Sequence, residues 1–163
     1  MYDPATALKG KTAVFEAIPE NPAVKALAEL ATDAKFDRNE LTITVAKDAI
    51  VAACEAAKGA GYNFFEDCTA VDWYPQEPRF QISYHILSHS LKQRLRLVAQ
   101  LDSADATIPS ITGVWPSANF YEREVFDLFG VHFSGHPGLT RIMMPEDWQG
   151  HPLRKDYPVE GYR

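Results

Sequence analysis

The chain has 163 residues, 46% of them hydrophobic and 23% charged, with a formal net charge of −6. That suits one globular domain, or one domain with a docking extension, and excludes a sequence-independent grip on nucleic-acid phosphates. No run approaches the roughly 18 apolar residues that span a bilayer, and the opening MYDPATALKGK lacks the basic flank and apolar core of a secretory signal, so a cytoplasmic protein is expected.

In chain order, Thr12 to Ile18 reads as a short strand. Asn21 and Pro22 open a helix as N-cap and first helical residue, with Val24, Leu27 and Ala28 as its apolar stripe. After a polar break at 37–40, LTITVA alternates with the period of a half-buried strand. Asp48 to Ala57 is an Ala-rich helix ended by Gly59 and Gly61. Three strands follow: Phe64 to Trp73, then Arg79 to Ser88 after the turn YPQEP, then Leu91 to Leu101.

The acidic loop 101–110 leads to an amphipathic helix with Tyr121, Val125, Leu128 and Phe129 on one stripe. Asn119 and Glu122 fit a capping box at its start, and Gly130 fits a left-handed stop at its end. The predicted fold is α+β, a mixed or antiparallel sheet with helices on one face. It divides into a domain over 1–134 and an extended irregular tail over 135–163. The tail is broken by four prolines yet rich in Leu139, Ile142, Met143, Met144, Trp148 and Leu153, which predicts that it lies against something. A separable tail leaves the domain folded without it.

Candidate chemistry is sparse. Glu122, Glu124 and Asp127 do not share a helix face in the way a catalytic carboxylate pair requires. The expectation is a solvated face with an Arg123–Asp127 pair that doubles as a docking surface. His132, His136 and Glu122 or Glu124 are the residues a stand-alone metallo-hydrolase would use, but no HExxH spacing supports it. The His-Pro pairs at 136 and 151 read as histidines bonding the backbone at turns. Cys54 and Cys68 are too few and too far apart for a zinc ribbon or a four-thiolate cluster and read as buried reduced thiols. No phosphate loop, dinucleotide fingerprint or nucleophile elbow occurs. Trp148 and the arginines are of types enriched where proteins meet, and Arg141, Arg154 and Lys155 complement the acidic helix and could fold back on it or reach a neighbour.

One run carries more information. Glu122-Arg123-Glu124, Asp127-Leu128-Phe129-Gly130, His136-Pro137, Arg141-Ile142, Pro145-Glu146-Asp147-Trp148 and 150–158 (Gly-His151-Pro-Leu-Arg154-Lys155-Asp156-Tyr157-Pro) resemble a known signature. It is that of the 30 kDa (C-type) subunit of NADH:quinone oxidoreductase, respiratory complex I. The likeness continues upstream through 67–72, Arg79-Phe80, Tyr84-His85, 109–112 and Val114-Trp115-Pro116, and fades before about residue 40. Thr140 stands where the family usually has a second basic residue.

The resemblance implies an α+β subunit of the peripheral arm without catalytic, cofactor or metal residues of its own. Flavin mononucleotide (FMN) and the iron–sulfur clusters would lie in partner subunits. Among the complex I components the tail is implied to dock chiefly on D, with B and I as further neighbours. The signature residues that would do so are Glu122, Arg123, Glu124, Asp127, Gly130, His136, Pro137, Arg141, Trp148, His151, Arg154, Lys155, Asp156 and Tyr157. The chain would sit peripherally on the cytoplasmic side of the cell membrane, held only through the complex. The same subunit occurs in membrane-bound hydrogenases and ferredoxin-linked complexes, which leaves the electron donor open.

Overall fold

The computed structural model describes residues 7–161. Eight strands are formed: β1 Leu8–Lys9, β2 Ala31–Asp37, β3 Glu40–Val45, β4 Phe64–Asp72, β5 Phe80–Ser88, β6 Gln93–Leu101, β7 Thr107–Pro109 and β8 His132–Ser134. Four helices accompany them: α1 Lys11–Ala17, α2 Pro22–Leu27, α3 Ile50–Gly59 and α4 Ala118–Phe129. Six strands make one sheet in the order β1-β2-β3-β6-β5-β4. All its neighbours are antiparallel except β3 and β6, which run parallel. β7 and β8 form a separate short parallel pair.

Register explains the core. Ile43, Leu97, Tyr84 and Cys68 form one cross-sheet row, and Ala99, Ile82 and Ala70 another, all buried on the same face. Every helix contributes to the core on that face: Val14 from α1, Leu27 from α2, Ile50 and Cys54 from α3, Ala118 and Val125 from α4. Because side chains alternate along a strand, the adjacent row Thr42, Arg96, His85 and Asp67 appears on the opposite face. There Arg96 Nε donates to His85 Nε2 (2.8 Å), and His85 Nδ1 bonds Asp67 Oδ1 (2.5 Å). His85 is thus tied into a surface polar row.

Two expectations are corrected, and one strand was not anticipated. Residues 12–18 are helical, because Val14 and Ile18 lie one turn apart toward the core and Gly10, at φ 92°, turns the backbone into α1. The expected break at 37–40 is the β2–β3 turn, with Arg38 and Asn39 at positive φ, but no strand was expected before it where β2 lies. Its buried residues Ala31 and Ala34 are three apart because the register shifts between Ala31 and Asp33, which erases the period of two. The expected capping box of α4 does not form. The N-cap is Ser117, without a side-chain bond, and the Glu122 carboxylate points inward instead. The α2 start is as expected: Asn21 Oδ1 accepts from Ala23 N at 2.9 Å, with Pro22 between them.

Candidate functional site

The signature residues converge on α4. Phe65 of β4 stacks on Trp115 (5.5 Å between centroids) and meets Tyr121 edge-on (5.8 Å), which fixes the helix against the sheet. The expected solvated acidic face does not exist. Glu122 and Asp127 are fully buried and only Glu124 is exposed, since the helix is covered by the sheet on one side and by residues 135–154 on the other.

Asp127 anchors the C-terminal segment. Its Oδ2 accepts the N–H groups of Ile142, Met143 and Met144 (2.9, 2.8 and 2.9 Å), and its Oδ1 accepts Arg141 Nη1 (2.5 Å). Burial alone would raise its pKa. The Met144 N–H, the Arg141 guanidinium and the other two N–H groups outweigh that and hold it below the ordinary carboxylate value. Arg123 therefore pairs with no acid there. It donates to the carbonyls of Thr140 and Arg141, both at 3.0 Å.

The last carbonyls of an α-helix have no partner within the helix. Here the C-terminal segment supplies them. Asp127 O accepts Arg141 Nη1 (3.2 Å) and His151 Nδ1 (2.9 Å), Leu128 O accepts Leu153 N (3.0 Å), and Phe129 O accepts Arg154 Nε (2.6 Å). Cationic guanidinium groups at this end also match the helix dipole. Burial, with Arg154 and Arg141 nearby, lowers the His151 pKa, so a neutral ring donates from Nδ1. Gly130 sits at φ 73°, and a Cβ there would lie 2.5 Å from Arg154 Nη2 and from the His151 ring. Glycine is required by both backbone and neighbours.

A second anchor ties the segment to the sheet. Arg79 is forked onto Asp72 by Nε and Nη2 (both 2.9 Å) and onto Asp156 by Nη1 and Nη2 (3.0 and 2.6 Å), while Lys155 N donates to Asp72 Oδ2 (2.8 Å). The guanidinium lies against the rings of Tyr74 and Phe80, 4.9 Å from each centroid. Burial opposes ionisation of Asp72, but Arg79 and the Lys155 and Tyr74 N–H groups win and depress its pKa to about 2.

His136 bonds the backbone: Gly138 N donates to Nδ1 (3.0 Å) and Nε2 lies 3.3 Å from Asn119 O. Tyr157 Oη donates to Gln149 O at 3.3 Å. Pro137, Trp148 and the Lys155 side chain face outward. Met143, Leu153 and Val159 of the same segment are also exposed. A recess of about 390 Å³ is lined by Trp148, Pro152, Tyr157 and Val159, among others.

Sequence reasoning singled out most of these residues but not Asp72 and Arg79 as anchors, because their partners Lys155 and Asp156 are distant in sequence. Among the described residues no group of three His, Cys, Asp or Glu gathers to hold a metal, and His132 is exposed on β8. No helix among them is long and apolar enough to cross a membrane.

Comparison with known proteins places this arrangement. A family model described as the respiratory-chain NADH dehydrogenase 30 kDa subunit matches residues 43–163. The NADH-quinone oxidoreductase C subunit of Citrifermentans bemidjiense is 46% identical over 146 residues, covering 86% of this chain and 91% of the relative. The corresponding Geobacter sulfurreducens protein is 50% identical over 131 residues, 79% of this chain and 81% of the relative. Among solved structures, a trypsin-resistant fragment (1–134) of Nqo5 superimposes with a TM-score of 0.61 at 28% identity, covering 77% of this chain and 98% of the fragment. One polypeptide of an archaeal membrane-bound sulfane sulfur reductase gives a TM-score of 0.75 at 28% identity, covering 88% of this chain and 85% of its own length. The chain belongs to the 30 kDa subunit family of respiratory-chain NADH dehydrogenase, which includes the C subunits of NADH-quinone oxidoreductase.

Proposed function

We propose that this chain is a scaffolding, non-catalytic subunit of NADH-quinone oxidoreductase. It holds the quinone-reducing module by docking residues 135–161 on component D of the complex, with B and I as further neighbours, on the cytoplasmic side of the membrane. One observation carries the reading: a segment without helix or strand is fastened inward by Asp127, Arg79 and Asp156, yet turns Met143, Trp148, Leu153 and Val159 outward. Exposed apolar side chains held in fixed positions form a surface that loses little entropy when a partner covers it.

On this reading FMN and the iron–sulfur clusters belong to partner subunits. Support comes from Cys54 and Cys68, both buried, with thiols pushed upward in pKa by burial, so neither presents a thiolate to a cluster. A second reading, the equivalent subunit of a related membrane complex with another electron donor, is favoured by the likeness to the sulfane sulfur reductase polypeptide.

Both readings are tested by gentle detergent purification of the tagged protein from its own cells. Co-purification of flavin- and cluster-bearing subunits with NADH:quinone activity is the expected result. Hydrogenase, ferredoxin-linked or sulfur-reducing partners would favour the second reading. A protein that elutes alone would overturn both.

A further inference from the structure

Three carboxylates are buried among the described residues: Asp72, Asp127 and Glu122. The first two are neutralised by Arg79 and Arg141. Glu122 is different. Its Oε1 accepts Ile111 N (2.7 Å), its Oε2 accepts Ser110 Oγ (2.6 Å), and its only cationisable neighbour in ion-pair range among those residues is His136, with Nε2 at 4.0 Å. His136 Nδ1 accepts the Gly138 N–H, and Nε2 lies closer to Asn119 O, at 3.3 Å, than to the carboxylate. An uncompensated buried carboxylate is costly when ionised.

The hydroxyls beside it offer a way to change its charge. Ser110 Oγ bonds Glu122 Oε2, accepts Thr112 N (3.2 Å) and bonds Thr112 Oγ1 (2.8 Å). A hydroxyl has one proton and two lone pairs. When Glu122 is ionised, the Ser110 proton is committed to the carboxylate, so Thr112 Oγ1 must donate to Ser110. When Glu122 is protonated, it donates to Ser110, Ser110 donates to Thr112, and the relay reverses. Every bond is kept in both states. Ser110 and Thr112 are both half-buried, so the hydroxyl pair lies between the buried carboxylate and the surface.

We propose that Glu122 is an interior proton-binding site, loaded and unloaded through the Ser110–Thr112 hydroxyl pair. Loading moves one proton from bulk water to the carboxylate by successive O–H hops, unloading returns it, and no other bond changes. Burial, opposed by the Ser110 and Ile111 bonds, raises the Glu122 pKa to about 6, so occupancy changes near neutrality.

The other titratable groups that feel this charge are Cys54 from α3, Cys68 from β4 and Tyr84 from β5, all pushed upward by burial and neutral in this range. On α4, Arg123 is turned to the Thr140 carbonyl and Glu124 to solvent. The site lies at the root of the C-terminal segment, since Ser110 N donates to Ser134 O and His136 follows directly. This inference does not depend on the docking role proposed above.

The test is a pH titration of the full-length protein, labelled at glutamate carboxyl carbons, by NMR. A carboxyl signal with a midpoint near 6 is expected, tracked by the Ile111 amide, both absent in Glu122→Gln. Thr112→Val should keep the midpoint but slow proton exchange by at least on the order of tenfold, seen as broadening at the midpoint, whereas Thr112→Ser keeps the wild-type rate. A midpoint at the ordinary value of 4.5 would overturn the proposal. So would an Ile111 titration that survives in Glu122→Gln, which would assign it to His136, or exchange in Thr112→Val as fast as in wild type.

Discussion

Glu122 and Gly130 illustrate two ways in which one residue sets the behaviour of the segment beyond it. The pKa of Glu122 is raised from 4.5 to about 6 in the folded state. Its contribution to stability is therefore full below 4.5 and is lost as pH rises through 6, a swing of about 2 kcal/mol. Urea unfolding of wild type and Glu122→Gln at pH 4.5 and 7.5 should show the variant gaining about that much relative to wild type at the higher pH. A difference independent of pH would contradict this. Asp72 has the opposite sign: with its pKa depressed to about 2, its contribution is present above 3.8 and lost as pH falls through 2. For Gly130→Ala, the left-handed backbone costs about 1–2 kcal/mol, and the new methyl displaces Arg154 and His151. The expected outcome is a lower Tm together with faster protease cleavage within 135–161.

Helix α4 and the C-terminal segment behave as a single element. The bonds at Asp127, Phe129 and Asp72 join the tail to α4 and the sheet, so truncation tests whether the domain keeps its full stability without the tail. Deleting residues 136–161 uncovers Asp127 and removes its four partners, takes the Lys155 bond from Asp72 and the Asp156 bonds from Arg79, and bares the carbonyls at the end of α4. Each hydrogen bond lost removes about 0.5–1.5 kcal/mol net, so the truncated protein should unfold at lower urea. Full retention of stability would show that the anchors contribute little. Local sequence revealed α4, its left-handed stop and the histidine turns, because stripes, glycine stops and His-Pro pairs are short-range signals. It could not reveal that Glu122 and Asp127 turn inward. Charge on a helix reads as solvated unless its partners are visible, and these partners lie at Ser110 and Arg141. Strand β2 was hidden for another reason: a bulge and a run of Ala, Asp and Lys suppress both alternation and strand propensity.

The molecule as a whole presents unlike surfaces. One sheet face displays the polar row Asp67, His85 and Arg96, while the C-terminal segment displays Met143, Trp148 and Leu153. Replacing exposed Met143 and Leu153 together by aspartate should change the stability of the free protein by no more than about 1 kcal/mol, as surface substitutions do. The same pair should sharply reduce recovery of partner subunits in the pull-down. Undiminished recovery would remove the docking role from this surface. Asp156→Asn should instead lower both stability and recovery, because it loosens the fastening to Arg79.

The one parallel seam of the six-stranded sheet, β3 against β6, sets an order of events during synthesis. The β2–β3 hairpin leaves the ribosome early, but the strand that pairs with it comes only after α3, β4 and β5 have been made. Until then β3 has an open edge, whereas β4, β5 and β6 pair with immediate neighbours in sequence. Each half, β1 to β3 and β4 to β6, pairs locally, and the seam that joins them is the long-range step. Nascent polypeptides stalled before residue 93 should leave 31–45 open to protease, and those stalled far enough on for 93–101 to have left the ribosome should protect it.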